Sequence, residues 1–357
     1  MTVPPQLEHV LARLRALKDL QRAQTDLHKP SAIEEWLLVD SPLFWDPKRL
    51  ERFRSPSDHL HSGTMDWPNR RPRHAKWVYE NNRLQQQPDS ARSLGVLQRC
   101  ADAVESLKGY VHLWRLDRAL AHELPASVRL RLSDISVGRP FGLRTMSGRL
   151  LTEPVLRHGF YLGRLLRHLP AQFWDGGSVL EIGAGYGGLA RVLKSHAPAL
   201  RITLVDLPER LALQAYFLCQ AFPQATVEVV DGAWSWGQST PDFVLVPTWE
   251  VPAIPDAAIG LVINTHSLQE MTAAQVSYYL EHVHRVGRSF FYCVNRYEKQ
   301  IGQEMICHPS PRLQGQWDVV IEEPEQNYPR VLEGLYRRHT TTIGEPRSTI
   351  PHEASHP

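Results

Sequence analysis

Five consecutive residues, Gly183-Ala184-Gly185-Tyr186-Gly187, follow the apolar run Val179-Leu180-Glu181-Ile182, and an acid, Asp206, closes the next apolar run. Glycine adopts turns that other residues resist, and without a Cβ it lets a ligand approach the main chain. A helix opening at such a turn presents free N–H groups and a partial positive charge to a carboxylate or phosphate. Asp206 stands 206 − 183 = 23 residues beyond the first glycine, near the ~20 expected of an acid that accepts both ribose hydroxyls. The implied chemistry is recognition of a cofactor that carries adenosine.

Glycine spacing alone leaves two cofactors open. Gly183, Gly185 and Gly188 satisfy the dinucleotide spacing GxGxxG, while Gly183, Gly185 and Gly187 satisfy the GxGxG spacing of S-adenosylmethionine sites. Glu181, two residues before Gly183, favours the second, because an acid there faces a cationic methionine end. The motif also opens a module that follows a long helical region, whereas dehydrogenases often carry theirs at the chain start. The expected cofactor residues are Glu181, Gly183, Ala184, Gly185, Tyr186, Gly187, Asp206, Leu207 and Asn264, with Asn264 toward the amino-acid end of S-adenosyl-L-methionine.

The elements that position these residues form two textures. Leu7, Val10, Leu11, Leu14, Leu17 and Leu20 recur at helical spacing. A second helix is predicted over 94–123, with Leu97, Ala101, Val104, Leu107, Val111 and Trp114 on one face, and a third through Leu156, Phe160, Leu165 and Leu169. Residues 40–92 read mostly as loop, and 137–149 as turns around short extended pieces. From 178 on, apolar strands alternate with helices, which predicts a parallel sheet with helices on its faces. The strands are Ser178–Ile182, Ile202–Val205, Gly260–Ile263 and Phe290–Val294. Both Val227–Val230 and Phe243–Val246 look extended; the latter suits the third position and the former an added strand. Pro208 can open one helix. Thr272 with Gln275 forms a capping box on another, which Gly287 closes. Trp317–Ile321 and Val331–Tyr336 can pair as an antiparallel hairpin. The expected division is 1–135 as a mainly helical extension that covers the acceptor or joins copies of the chain, 136–339 as the cofactor-binding domain, and 340–357 as a disordered tail.

Composition narrows the classes. The chain has 357 residues, 42% hydrophobic and 22% charged, with a formal net charge of +2. Such a balance gives no electrostatic case for nucleic acid or membrane as partner. The patch Trp67-Pro-Asn-Arg70-Arg71-Pro-Arg73-His74-Ala-Lys76-Trp77 mixes bases and aromatics and can grip nucleic acid, but a solvated loop or a lid over the acceptor suits a near-neutral chain better. Cys100, Cys219, Cys293 and Cys307 form no CxxC pair, and Cys219 and Cys293 read as buried thiols. His282 and His284 point to different sides of a helix, so no metal site is expected. The start, Met1-Thr2-Val3-Pro4-Pro5, lacks the pattern of a secretory signal, and a cytoplasmic setting is the expectation.

The strings Glu181-Ile-Gly-Ala-Gly-Tyr-Gly-Gly-Leu-Ala190, Val205-Asp-Leu-Pro-Glu209, Asn264-Thr-His-Ser-Leu-Gln-Glu-Met271 and Tyr292-Cys-Val-Asn-Arg296 resemble the sugar O-methyltransferase family of bacterial clusters that make glycosylated natural products. The resemblance covers about 178–300 in order and spacing. It implies a Rossmann-like α/β sheet of the class I methyltransferase kind, mostly parallel with an antiparallel C-terminal hairpin. It also implies S-adenosyl-L-methionine as cofactor and a sugar or glycoside as the small-molecule acceptor.

A sugar hydroxyl is a poor nucleophile at neutral pH, so a general base within hydrogen-bond reach is expected. His266 lies just past a strand, at the rim where the sheet's carboxyl ends open, and its imidazole has a suitable pKa. Glu270 is the second catalytic candidate, or orders the loop before Thr272. Asn295 and Arg296 can bind sugar hydroxyls. An amino-sugar N-methyltransferase, a nicotinamide-dependent oxidoreductase and a non-catalytic binding protein are the competing readings.

Overall fold

Eight strands make one central sheet: β1 (Ser178–Ile182), β2 (Arg201–Asp206), β3 (Val227–Val229), β4 (Phe243–Pro247), β5 (Ile259–Thr265), β6 (Gly287–Arg296), β7 (Trp317–Glu325) and β8 (Tyr328–Arg338). The computed structural model describes residues 5–21, 23–29, 50–54, 96–232, 236–301, 303–326 and 328–339. The spatial order is β7-β8-β6-β5-β1-β2-β4-β3. Neighbours from β3 to β6 run parallel, and only β8 is reversed, pairing antiparallel with both β6 and β7. This is the Rossmann-like sheet with its terminal hairpin expected from sequence. Phe243–Pro247 does take the inner position beside β2, and Val227–Val229 is added outside it. The Trp67–Trp77 patch and the tail 340–357 lie outside the described residues.

The inner strands are buried nearly end to end because helices cover both faces of the sheet. Alternate side chains therefore enter two separate cores. Val179, Leu204 and Leu245 join one; Leu180, Val205 and Val244 join the other. The first core receives α1 (Pro5–Gln21), the C-terminal half of α2 (Val96–Leu120), α3 (Glu153–His168), α4 (Gly188–His196) and α5 (Pro208–Ala221). The second receives α6 (Ala273–Val286) through Val276, Leu280 and Val283. The Thr272–Gln275 capping box is present with both of its hydrogen bonds.

Helix α1 shares this core through Leu7, Val10, Leu14 and Leu17 and lies along α5 and the exposed edge of β3. Arg13 closes that edge: its guanidinium donates to Val229 O at 2.5 Å and pairs with Asp231 at 2.6 Å. An open strand edge is a template for unwanted pairing, and a charged side chain laid along it blocks that. Lys18 pairs with the buried Glu209 of α5.

Two helix expectations are corrected. Leu20 is exposed, one residue before α1 ends, whereas Leu17 and Gln21 in the same last turn are buried. On α2, Leu107, Val111 and Trp114 are exposed, while Leu113 and Leu120 are buried. The reason lies in α3, whose Gly159 and Gly163 admit α2 and the chain after it closely. A Cβ on Gly159 would stand 2.8 Å from Leu120 Cδ2, and one on Gly163 2.9 Å from Glu123 O. Gly287 closes α6 as expected, as its C-cap at φ −74°. It is needed because a Cβ would meet Val283 O at 2.7 Å as the chain passes straight into β6. Among the described residues, no helix is long and apolar enough to cross a membrane.

Candidate active site

The glycine run leaves β1 and enters α4 with Gly183, Gly185 and Gly187 at φ +70°, +61° and +86°. These left-handed values are open to glycine at little cost. Gly183 N donates to Val205 O at 2.9 Å, which ties the turn to the end of β2. A Cβ on Gly183 would stand 2.0 Å from Ser267 Oγ, in the loop after β5. At Gly185 an added Cβ meets no atom within 4 Å. The main chain there is bare toward a cavity of about 260 Å³ that it helps to line.

One wall of this cavity is acidic. Glu181 is fully buried, and burial first, then the nearby charge of Asp206, pushes its carboxyl up to about 8. Its Oε2 has no hydrogen-bond partner. His158, from α3, also lines the cavity with a partnerless Nδ1 and is pushed down to about 3 by burial and by Arg157. Buried polar atoms are almost always paired. Two left unpaired around one cavity mark a place for a polar ligand, and a cation beside Glu181 would stabilise its ionised form.

Asp206 ends β2 with Oδ1 accepting from Leu207 N at 2.9 Å and Oδ2 accepting from Gln214 Nε2 at 2.8 Å. The same Gln214 amide donates to Gly185 O at 3.1 Å, so one side chain of α5 fixes both the acid and the glycine turn. Asp206, Gly183 and Ser267 also border a second cavity of about 30 Å³, lined by Leu207 and by Thr248 beyond β4. Asp206 therefore borders both spaces. Tyr186 lines the larger cavity, while its ring packs on Phe217 at 4.8 Å and under the Arg54 guanidinium at 4.8 Å.

The opposite wall is aromatic and basic. His266, immediately after β5, has φ +61° and donates its N–H to Val294 O at 2.7 Å. Non-glycine residues held at such angles concentrate at functional sites. Its Nε2 is hydrogen-bonded to Tyr161 Oη at 2.9 Å. Burial, then Arg157 and Arg296, pushes the imidazole down to about 3, so it is neutral at ordinary pH. Burial holds the Tyr161 phenol above its usual value, so it stays protonated. Glu270 lines the same cavity, with Lys299 Nζ 3.8 Å from its carboxylate.

Two amides expected at ligands sit behind the wall instead. Asn264 is fully buried; it donates to Ile182 O at 2.9 Å and accepts from Leu268 N at 3.2 Å and Asn295 Nδ2 at 2.8 Å. Asn295 in turn accepts from Gln269 N at 3.2 Å. Both therefore order the loop that carries His266, and the cavity is lined without them. Arg296 does line it. His158, Tyr161, Arg157 and Gln214 were missed from sequence. On α3 the apolar stripe marked the helix, and nothing in the spacing pointed 105 residues ahead to His266. Among the described residues, no three His, Cys, Asp or Glu side chains gather as a metal would need.

Comparison with protein-family models and with curated proteins gives no match. Solved structures do resemble the chain. Magnesium protoporphyrin IX methyltransferase from Synechocystis PCC 6803, solved with bound S-adenosylmethionine, is 11% identical over 52% of this chain and 81% of its own, with a TM-score of 0.37. An O-methyltransferase family 2 protein from Planctomyces limnophilus DSM 3776, in complex with apigenin, is 13% identical over 51% and 58%, also at 0.37. A SAM-dependent methyltransferase from Aquifex aeolicus is 14% identical over 49% and 88%, at 0.35. Identities and scores this low say nothing of substrate.

Proposed function

We propose that this protein is an S-adenosylmethionine-dependent methyltransferase that methylates a hydroxyl on a sugar or glycosylated small molecule. The observation that carries the cofactor reading is the pairing of Glu181, buried with an unpartnered Oε2, with Asp206, which borders both cavities. An adenosyl sulfonium asks for this arrangement: acid near the cation, a second acid for ribose, bare main chain between. The sugar acceptor rests on the resemblance of the loop 264–271 and of 292–296.

When bound, S-adenosylmethionine supplies an electrophilic methyl group on sulfur. The chain's part is then to align the acceptor oxygen with that group, keep water away and take a proton. The hydrogen bond between Tyr161 Oη and His266 Nε2 fixes the neutral ring on the cavity wall; in the tautomer whose Nε2–H donates to Tyr161, Nδ1 keeps the lone pair that a base needs. In that tautomer His266 would take the proton of the acceptor hydroxyl as that oxygen receives the methyl group. Arg157 and Arg296 oppose that protonation, so an acceptor that offsets their charge is the better substrate. Glu270 lies within the same wall and can receive sugar hydroxyls.

Incubation with methyl-labelled S-adenosylmethionine and a panel of glycosides tests this directly. Label on an acceptor oxygen, with S-adenosylhomocysteine released in equal amount, is the expected result. Thermal stabilisation by NAD and none by S-adenosylhomocysteine would overturn the reading.

A further inference from the structure

The smaller cavity is closed by chain from far outside the sheet. Leu27, His28 and Lys29, in the turn after α1, line it opposite Leu207 and Tyr279. Side chains of three other elements hold the carbonyls of this turn. Gln275 Nε2 donates to Lys29 O at 3.0 Å and Leu27 O at 3.4 Å. Thr248 Oγ1 and Gln21 Nε2 each donate to His28 O at 3.4 Å. The His28 ring stands edge-on to Tyr278 at 5.1 Å. Gln275 is also the capping-box residue of α6, its Oε1 accepting from Thr272 N at 2.9 Å. One amide thus starts a helix with its oxygen and fastens the turn with its nitrogen.

The next step rests on the reading of the two cavities as an adenosyl site. With ribose at Asp206 and the cationic end beside Glu181, the base extends the other way, into the space under this turn. We propose that Leu27–Lys29 is the outer wall of the adenine subsite, fastened by Gln275, so that cofactor binding and docking of this turn reinforce each other. The enclosed space, about 30 Å³, has room for little more than water. The turn therefore lifts to admit a purine and closes over it. Such coupling is reciprocal: whatever loosens the turn weakens the cofactor, and the cofactor holds the turn.

Gln275→Glu separates the two duties. Glutamate suits a capping box as well as glutamine does, but it has no N–H for the two carbonyls and brings a negative charge toward them. In the full chain, the melting temperature should stay near that of the wild type. The dissociation constant for S-adenosylhomocysteine, by calorimetry, should rise about tenfold, as loss of one or two hydrogen bonds implies, with faster dissociation in stopped flow. Gln275→Ala should lower both melting temperature and affinity. In the wild type, hydrogen exchange at residues 27–29 should slow when S-adenosylhomocysteine is added, and this readout decides alone if Gln275→Glu melts lower. Unchanged affinity in Gln275→Glu, or exchange indifferent to ligand, overturns the wall. No binding by the wild type sinks the cofactor reading instead, so the two failures are distinct.

Discussion

Around Gly183 the cavity wall is main chain and acid; around His266 it is aromatic and basic. The first end is built from β1, the turn and the end of β2, all within 26 residues of one another between Glu181 and Asp206. The second is assembled from α3, the loop after β5 and the end of β6. The Gly183 end shapes itself through backbone angles, which local sequence dictates. The His266 end depends on side chains that only the completed fold brings together. The electrostatics differ in the same way: burial and then the charge of Asp206 raise the Glu181 carboxyl, whereas burial and then Arg157 and Arg296 lower the His266 imidazole.

The contrast can be broken most severely at Gly183. Gly183→Val combines a φ of +70° with a Cβ 2.0 Å from Ser267 Oγ, and binding of S-adenosylhomocysteine should fall below detection. Gly185→Ala, at φ +61° but in open space, should keep the fold at a cost of about 1–2 kcal/mol in a denaturant titration. Equal behaviour of the two variants would show that close approach to the loop after β5 is not what this glycine serves.

At the other end, His266→Ala should lower methyl transfer by about 10²–10⁴-fold and leave S-adenosylhomocysteine affinity unchanged. Paired calorimetry and turnover assays check this. A loss of affinity matching the loss of rate would erase the division between the two ends.

Glu181→Gln sharpens the electrostatic side with a smaller effect. In the empty protein the Glu181 carboxyl holds its proton up to about 8, against about 4.3 in an unfolded chain. Between those values the native state binds the extra proton, so this group's contribution to stability is full below about 4.3 and is lost as pH rises toward 8. Melting curves from pH 5 to 9 should fall more steeply for the wild type than for Glu181→Gln. The substitution should also weaken S-adenosylmethionine more than S-adenosylhomocysteine, because only the former carries the sulfonium. Parallel melting curves for the two proteins would remove Glu181 from the account.

What could be read in the sequence follows the same division. The glycine turn, Asp206, the capping box at Thr272 and the inner position of Phe243–Pro247 all follow from local pattern, and the structure holds each in place. Helix α2 was misread in its facing, since its buried side is chosen by the glycine notches of a helix about 40 residues further on. Asn264 and Asn295 look like ligand residues in a string, yet they bond one another across two strands. That pairing is a property of β5 lying beside β6 and leaves no trace in either segment alone. Tyr161 and His158 were hidden for the same reason, as polar members of a helix marked by its apolar stripe.

Calorimetric titration of S-adenosylhomocysteine into the wild type and Asp206→Ala bears on the cofactor site most directly. Measurable binding by the wild type, weakened about 100-fold by loss of two charge-assisted hydrogen bonds in the variant, is the expected outcome. Equal affinity in the two proteins, or no heat with either, contradicts the assignment of Asp206 to ribose.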